Sequence, residues 1–566
     1  MGFVILGVNL LFGLEGLDIG SRELIDTDGH MRYNRVMELV TGLNGWWDGW
    51  AHRANAPFGH SMHWTRPLDA LLIALASPVA AVFGWADGLY FASLIVGPLF
   101  HLGLGVAVAW ASRPVVGVLG SYLAGMGVAA QISVLSYAAP GRPDHHILIV
   151  VLALILIGSV IRLSLDESPR WVMVGGLSSA AGLWVSTEFL VALAVVLVFL
   201  GWRAMVGRND LARFGLWFAA GVVVALLIER PPNEYFATEY DRLSIVHLVL
   251  AGLIGLVGLA VRGSSASKRA ATIAVGGLLS AAVLRVLFPL FFGGPFADVP
   301  ASVVDIWLVR VAELAPLWEA ASHRASDLSL LVGTGVIGLL IGLVRLRRRE
   351  QSAEWTFLLA ALAVFLLFCV RSIRFAVYPA ALGSIPIAAW AVDRLAVNEG
   401  RSVLKSLRRV FVMSVVVVGM AYPFLVARAL EGPPLDGTSG QCDIKDVVAP
   451  LSAALDSKRG SVVLASLDSG PELIYRLPVR VVADPYHRNV EGILDSFAVF
   501  GSPDSRALLD KHEVKFVLVC ENDADRGIYN SGGLYDQLLA NNPPAGFRRV
   551  ELDPESPLRL YERMPG

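Results

Sequence analysis

The sequence predicts a mainly α, polytopic membrane protein of about 13 transmembrane helices followed by a small α/β soluble domain. Three observations predict it. Apolar residues make up 55% of the 566 and 55 glycines stand beside them, while charged residues reach only 17%, where about 25% is usual for a soluble domain; mean hydropathy is +0.61. The apolar residues come in runs long enough to cross about 30 Å of hydrocarbon. The charge is also split, with 14 Lys+Arg against 20 Asp+Glu in residues 432–566, a tail at −6 behind 431 residues at +4. On that basis the chain divides into a transmembrane domain over 1–430 and an extracytoplasmic α/β domain over 431–566. The composition excludes a disordered chain, a nucleic-acid binder and a disulfide-stapled secreted module, which need more charge, more basic residues or more cysteine. Of three cysteines, Cys369 lies in an apolar run, and Cys442 and Cys520 pair only if the tail faces an oxidising compartment.

Candidate membrane helices lie near 3–17, 68–84, 88–111, 115–138, 146–162, 171–186, 187–202, 212–228, 245–261, 271–291, 328–344, 355–370, 374–394 and 410–428. The first has no basic segment before it and no small-residue cleavage site after it, so it reads as a helix rather than a signal peptide. Lys and Arg gather in cytoplasmic loops. Short basic connections stand at Arg113; at Arg162 and Arg170; at Arg203, Arg208 and Arg213; at Arg262, Lys268 and Arg269; at Arg345, Arg347, Arg348 and Arg349; and at Arg394, Arg401, Lys405, Arg408 and Arg409. All six share one side only if 68–84 does not cross. Its sequence LDALLIALASPVAAVFG then forms a helix on the outer surface or packed in the first outer loop, leaving an inside amino terminus and an outside tail. The alternative, in which 68–84 crosses, puts the following loops on the wrong sides. With the first topology the large first outer loop 18–87, the stretches 139–145, 229–244 and 371–373, and the long loop 292–327 all lie outside. In the tail, SVVLASL (461–467), VRVVAD (479–484) and VKFVLVC (514–520) read as buried strands, separated by helical stretches near 503–512 and 533–541, which favours a parallel sheet. No Gly-rich phosphate fingerprint follows these strands.

The outer stretches carry the polar residues that suggest chemistry. In DTDGHMRYNRVMELV (26–40), Asp26 and Asp28 share one face if extended and suit a hard cation; as an acidic cap they favour the dipole of the following helix. In APGRPDHHI (139–147), Asp144 and His146 share the same spacing against the membrane, either as metal ligands or as an interfacial cap. RVAEL (310–314) supplies Glu313, which on its own also reads as a solvated loop residue. VRSIRFAVYP (370–379) puts Arg371 and Arg374 at an outer helix end, where guanidinium groups match phosphate oxygens or snorkel to headgroups. In the first outer loop, GWWDGW (45–50) reads as an interfacial anchor, and His52, Arg53, His60, His63 and Arg66 as headgroup contacts. The polar loop DPYHRN brings Asp484, Tyr486, His487, Arg488 and Asn489 directly after a strand, as a turn or a substrate-facing loop.

In order and sidedness these elements resemble the catalytic subunit of the oligosaccharyltransferases, GT-C glycosyltransferases with 13 transmembrane helices and a carboxyl-terminal soluble domain. The D-H-H triplet is most similar to the archaeal members. The resemblance spans nearly the whole chain. It implies that Asp28, Asp144 and His146 bind a divalent metal, Mg²⁺ or Mn²⁺, with Asp28 and Glu313 as the catalytic residues. Glu313 stands in a counterpart of the S-V-A-E or T-I-x-E element that helps hold the acceptor, with Arg310 replacing its hydroxyl, and Arg374, beside Arg371, contacts the donor phosphate. The family's W-W-D-Y-G signature is where this sequence departs. SLDSGPELIYRLPVRVV (466–482) keeps Asp468 and Gly470 and lacks both tryptophans and the tyrosine, so the motif that recognises an Asn-x-Ser/Thr acceptor is missing. Asp468, His487 and Arg488 stand as acceptor-facing candidates. The implied function is metal-dependent, inverting transfer of a sugar or oligosaccharide from a polyprenyl-(di)phosphate donor to a protein or glycan acceptor, outside the cell (inner) membrane. The expected partners are that donor, membrane lipids and the acceptor, with no nucleic acid. Alternatives are transfer to a lipid or surface glycan, or a lipid or sugar flippase, which requires Glu188 of STEF at mid-depth in a helix rather than at an outer turn.

Overall fold

The computed structural model describes residues 1–14, 17–262, 265–319, 325–347, 351–396, 442–455, 460–529, 531–554 and 556–564. Eight of the described helices are long and apolar enough to cross a membrane: Arg66–Phe83, Trp85–Met126, His146–Asp166, Thr187–Met205, Leu211–Glu229, Ala266–Leu287, Ser352–Arg371 and Ile373–Leu395. Gly2–Gly13, Ile245–Ala260 and Leu330–Leu346 are shorter apolar helices, and Pro169–Val185 is a further helix of 17 residues. The protein is an integral membrane protein. The helix expected at 410–428 and most of the last basic connection lie outside the described residues.

The run expected at 115–138 is not one helix. Trp85–Met126 takes in its first part and turns at Gly117 (φ 72°, ψ −174°), a left-handed backbone angle that glycine adopts without strain. The chain doubles back there, so that a Cβ on Gly125 would lie 2.6 Å from the carbonyl of Gly105. Regular helix stops at Met126, and a turn of helix at Ile132–Leu135 follows. Polar groups explain the break: Gln131 donates to the Gly127 carbonyl (3.0 Å) and accepts from Thr334 (2.9 Å), pairs that a continuous apolar helix could not offer. The first helix has only 12 residues, about 18 Å at 1.5 Å per residue, shorter than the 3–17 run suggests.

Helix Arg66–Phe83 is held to helix Asp26–Val40 near its start and just past its end. Asp69 accepts from Arg32 (2.9 Å) and Arg35 (2.8 Å), and the carbonyl of Ala86 accepts from the Tyr33 hydroxyl (3.1 Å). Between the helices the core is apolar and closely fitted, as where Phe365 stacks on Tyr378 with ring centroids 4.0 Å apart.

The tail contains a five-stranded sheet in the order Arg480–Val481, Val462–Leu464, Val514–Cys520, Leu558–Arg563, Phe547–Val550. The first three strands are parallel, as the sequence suggests, and the last two antiparallel. Phe547–Val550 escapes a hydrophobic reading because it is an edge strand with Arg548 and Arg549 at its centre, both exposed. Cys442 and Cys520 form a disulfide, Cα to Cα 5.9 Å, across 78 residues.

The stretch between helix Asp26–Val40 and helix Arg66–Phe83 docks on this domain. Val481 N–H donates to the Arg53 carbonyl (2.8 Å) and Ala56 N–H to the Val481 carbonyl (3.0 Å), extending the sheet edge. Arg53 also donates to the carbonyls of Val479 (3.1 Å), Ile474 (2.7 Å) and Leu477 (2.5 Å). His60 pairs with Asp484 (2.8 Å), and Arg66 with Asp69 (3.0 Å). Arg53, His60 and Arg66 are thus occupied inside the protein, which corrects their assignment to lipid headgroups. Trp46 and Trp47 both donate to the Ile228 carbonyl (2.9 and 3.1 Å).

Candidate active site

Helix Asp26–Val40 starts where Asp26 Oδ1 accepts from the Gly29 N–H (2.8 Å), the capping use of an aspartate. Asp26 itself has φ 64°, which Asp tolerates better than most residues. Asp26 and Asp28 therefore sit in a first helical turn and not on one face of an extended strand, a correction to the spacing argument. Two residues along a helix turn a side chain through about 200°. Asp26 Oδ2 accordingly faces Arg142 Nε (2.6 Å), while Asp28 Oδ1 accepts from the Tyr486 hydroxyl (3.0 Å) and the carboxyl feels the charges of Asp144 and Glu313.

Asp144 lies in the loop before helix His146–Asp166, with His145 at the N-cap. Ligand atoms of Asp144, His145 and His146 lie within 4.8 Å of one another. His145 Nδ1 is 2.9 Å from Asp144 Oδ1, and His146 Nε2 is 3.6 Å from Asp144 Oδ2. Asp144 Oδ2 and His145 Nδ1 are both buried without a hydrogen-bond partner, the 2.9 Å contact being too bent to count as one. The structure thus joins Asp144 and His146 to His145 most closely, with Asp28 at the edge of the cluster.

Glu313, in the turn Ala312–Leu314, is the hub. Its Oε1 accepts from Arg142 (2.8 Å); its Oε2 accepts from Arg374 (3.2 Å) and lies 3.4 Å from His146 Nε2. Arg374, in the turn Ile373–Ala376, also donates to Glu188 (2.5 Å), which is 3.9 Å from His146. Ser372 Oγ donates to the Glu313 carbonyl (2.9 Å) and fastens the two turns together. Glu188 sits in the turn Thr187–Phe189 at a helix end, in the same cluster as His146. Arg371 is exposed at the end of its helix, and Arg310 is exposed and donates to the Ile306 carbonyl (3.1 Å).

Four carboxylates (Asp26, Asp144, Glu188, Glu313) thus gather around two guanidinium groups, Arg142 and Arg374, with Asp28 within electrostatic reach of Asp144 and Glu313. Burial pushes Asp26 up to about 8 despite Arg142, and burial with the charges of Asp144 and Glu313 raises Asp28. Burial also acts to raise Asp144 and Glu313, but His146 and their other cationic neighbours hold both below the usual carboxylate range. A mixed carboxylate and imidazole set with two unpartnered ligand atoms fits a divalent transition ion such as Mn²⁺.

The tail contributes through its polar loop. His487 Nε2 is 2.8 Å from Asp241 Oδ2, and Arg488 donates to both oxygens of Asp241 (2.6 and 2.5 Å) and to Glu239 (3.1 Å). These two acceptor-facing candidates are therefore engaged with the loop at 239–241. Asp468 is exposed at the N-cap of helix Ser469–Arg476, within electrostatic reach of Asp28. Gly470 permits a close crossing, since a Cβ there would meet the Ala483 carbonyl at 2.4 Å. Sequence reasoning passed over Arg142 as a site residue and left Glu188 ambiguous. The signal for Arg142 was its place in a loop that the charge pattern puts outside, against the trend that puts arginines inside.

The helical bundle with its α/β tail is the GT-C fold. Among solved structures it is similar to the archaeal oligosaccharyltransferase AglB of Archaeoglobus fulgidus, in complex with an inhibitory peptide and a dolichol-phosphate (TM-score 0.66, 15% identity, 92% of this chain and 69% of that one). The apo form of that protein matches with TM-score 0.65 and 15% identity over 98% and 74% of the two chains. Its complex with Zn and sulfate matches with TM-score 0.62 and 14% identity over 100% and 73%. No protein-family model matches the sequence, and no curated protein matches it.

Proposed function

We propose that this protein is a membrane glycosyltransferase that moves a sugar or oligosaccharide from a polyprenyl-phosphate or polyprenyl-diphosphate donor to an acceptor on the extracytoplasmic face. The observation that carries this reading is the convergence of Asp144, His146, Glu313 and Arg374 from three separate stretches of chain into one cluster, with Asp28 within electrostatic reach. The solved relatives with bound dolichol-phosphate, and with Zn and sulfate, support a lipid phosphate and a metal.

Asp144, His145 and His146, with Asp28 beside them, are the residues to hold a divalent cation, which neutralises charge on a leaving phosphate. Arg374 grips the phosphate oxygens as Glu188 and Glu313 give way. Glu313 or Asp28 orients the acceptor and takes its proton. The acceptor atom bonds to the anomeric carbon from the face opposite the phosphate. The carbon–oxygen bond to phosphate breaks with its electron pair, and the product has inverted configuration. The tie of Asp69, near the start of helix Arg66–Phe83, and that of Ala86, just past its end in helix Trp85–Met126, to the same helix Asp26–Val40 support the topology in which that segment stays outside. The Cys442–Cys520 disulfide supports an extracytoplasmic tail.

Deleting the gene and comparing lipid-linked sugars and surface glycoconjugates by mass spectrometry tests the proposal. The expected result is a build-up of one polyprenyl-linked sugar and the loss of one glycoconjugate. Unchanged profiles of both would contradict it.

A further inference from the structure

We infer that Tyr486 is a positioning residue for Asp28, delivered to the site by the tail domain; this role rests on the transferase reading above. Tyr486 is 3% exposed, and its hydroxyl donates to Asp28 Oδ1 at 3.0 Å, across 458 residues of chain, with the neighbouring Thr27 carbonyl a longer second acceptor at 3.4 Å. Among the described residues this is the one side-chain hydrogen bond that the Asp28 carboxylate receives, so Oδ2 is left without a protein donor. A phenol donating to one oxygen fixes the plane of the carboxylate and the direction in which the other oxygen points.

The surroundings keep that hydroxyl in place. Trp64 meets the Tyr486 ring edge-on with centroids 5.0 Å apart. On one side in sequence, Asp484 is paired with His60 (2.8 Å) and accepts from Asn489 (2.8 Å). On the other side, His487 and Arg488 are fastened to Asp241 and Glu239. Asn489 closes the loop by accepting from Gly492 N–H (3.1 Å) at the start of helix Val490–Gly501. A loop serving only as a turn needs no such clamps on both flanks of a tyrosine aimed at a carboxylate of the helical domain. The tail acts on the site through this contact, although it lacks the aromatic signature of the resembling family.

The test compares full-length wild type and Tyr486→Phe in detergent, which removes one hydroxyl and keeps the ring. A hydrogen bond to a charged group predicts a kcat lower by about tenfold, and Mn²⁺ binding weaker by about tenfold. The KM for the lipid donor and the melting temperature stay unchanged, because Tyr486 touches Asp28 and not the donor. A Tyr486→Phe protein with wild-type kcat and Mn²⁺ affinity overturns the role, and so does one in which only KM rises. If Tyr486→Phe melts below wild type, Mn²⁺ binding of the double variant with Asp28→Asn decides. Losses that do not add support the role, and additive losses overturn it. A wild type that neither binds Mn²⁺ nor transfers sugar overturns the transferase reading and this role with it; a wild type that does both, matched by Tyr486→Phe, overturns the role alone.

Discussion

Arg488 donates four hydrogen bonds, two to Asp241, one to Glu239 and one to Ser61, and in doing so ties the tail to the 239–241 loop of the helical domain. Burial acts to raise Asp241, but the bonds from His487 and Arg488 outweigh it and hold the carboxyl well below the usual range. A depressed folded value means that the pair stabilises fully above the ordinary carboxylate pKa of about 3.9 and loses its contribution as pH falls below it. The melting temperature of the wild type should therefore drop below about pH 4, and Asp241→Asn should flatten that part of the curve while lowering stability at pH 7. Arg488→Ala leaves Asp241 partly unpaired and should cost about 3–5 kcal/mol, read as loss of melting temperature at neutral pH. In sequence, His487 and Arg488 invited an acceptor-facing reading because nothing local revealed Asp241 as their partner, more than 240 residues earlier. Asp144, His145 and His146 were legible because their spacing is local. Arg142 and Glu188 became site residues only when distant segments met.

At the scale of elements, the hydropathy runs located the eight described helices that are long and apolar enough to cross a membrane, since burial in lipid or among apolar neighbours needs only composition and length. Where polar groups or glycine interrupt a run, composition misled: Gly117 and Gln131 break the stretch expected at 115–138. Helix Arg66–Phe83 is the decisive element for topology. It is long and apolar enough to cross a membrane, yet Asp69 near its start and Ala86, just past its end in helix Trp85–Met126, both bond to helix Asp26–Val40. Val82, 73% exposed near its end, offers a direct check. In a Val82→Cys protein in intact cells, a membrane-impermeant maleimide should label the cysteine from outside. Labelling only after permeabilisation would show that the segment crosses and would reverse the sidedness of the loops that follow.

For the whole molecule, the acidic tail and the stretch between helix Asp26–Val40 and helix Arg66–Phe83 form a cap over one end of the helical bundle, joined through Arg53, His60, Tyr486 and Arg488. The disulfide closes 78 residues of that cap, and a double Cys442→Ser, Cys520→Ser variant should lose about 2–5 kcal/mol of stability, seen as a lower melting temperature that reductant no longer shifts. The charge split between bundle and tail was legible in the sequence because it is a matter of counting. The cap's seating was not, because it depends on pairs between residues hundreds of positions apart. The central claim is that the buried cluster around Asp144 transfers sugar from a lipid phosphate. Reconstituted full-length protein, given polyprenyl-linked sugars extracted from the source cells with Mn²⁺, tests it most directly. The account predicts sugar transfer that chelation abolishes and that Asp144→Ala lowers by at least about 100-fold. Transfer at the wild-type rate by Asp144→Ala, or with all divalent metal removed, would contradict it.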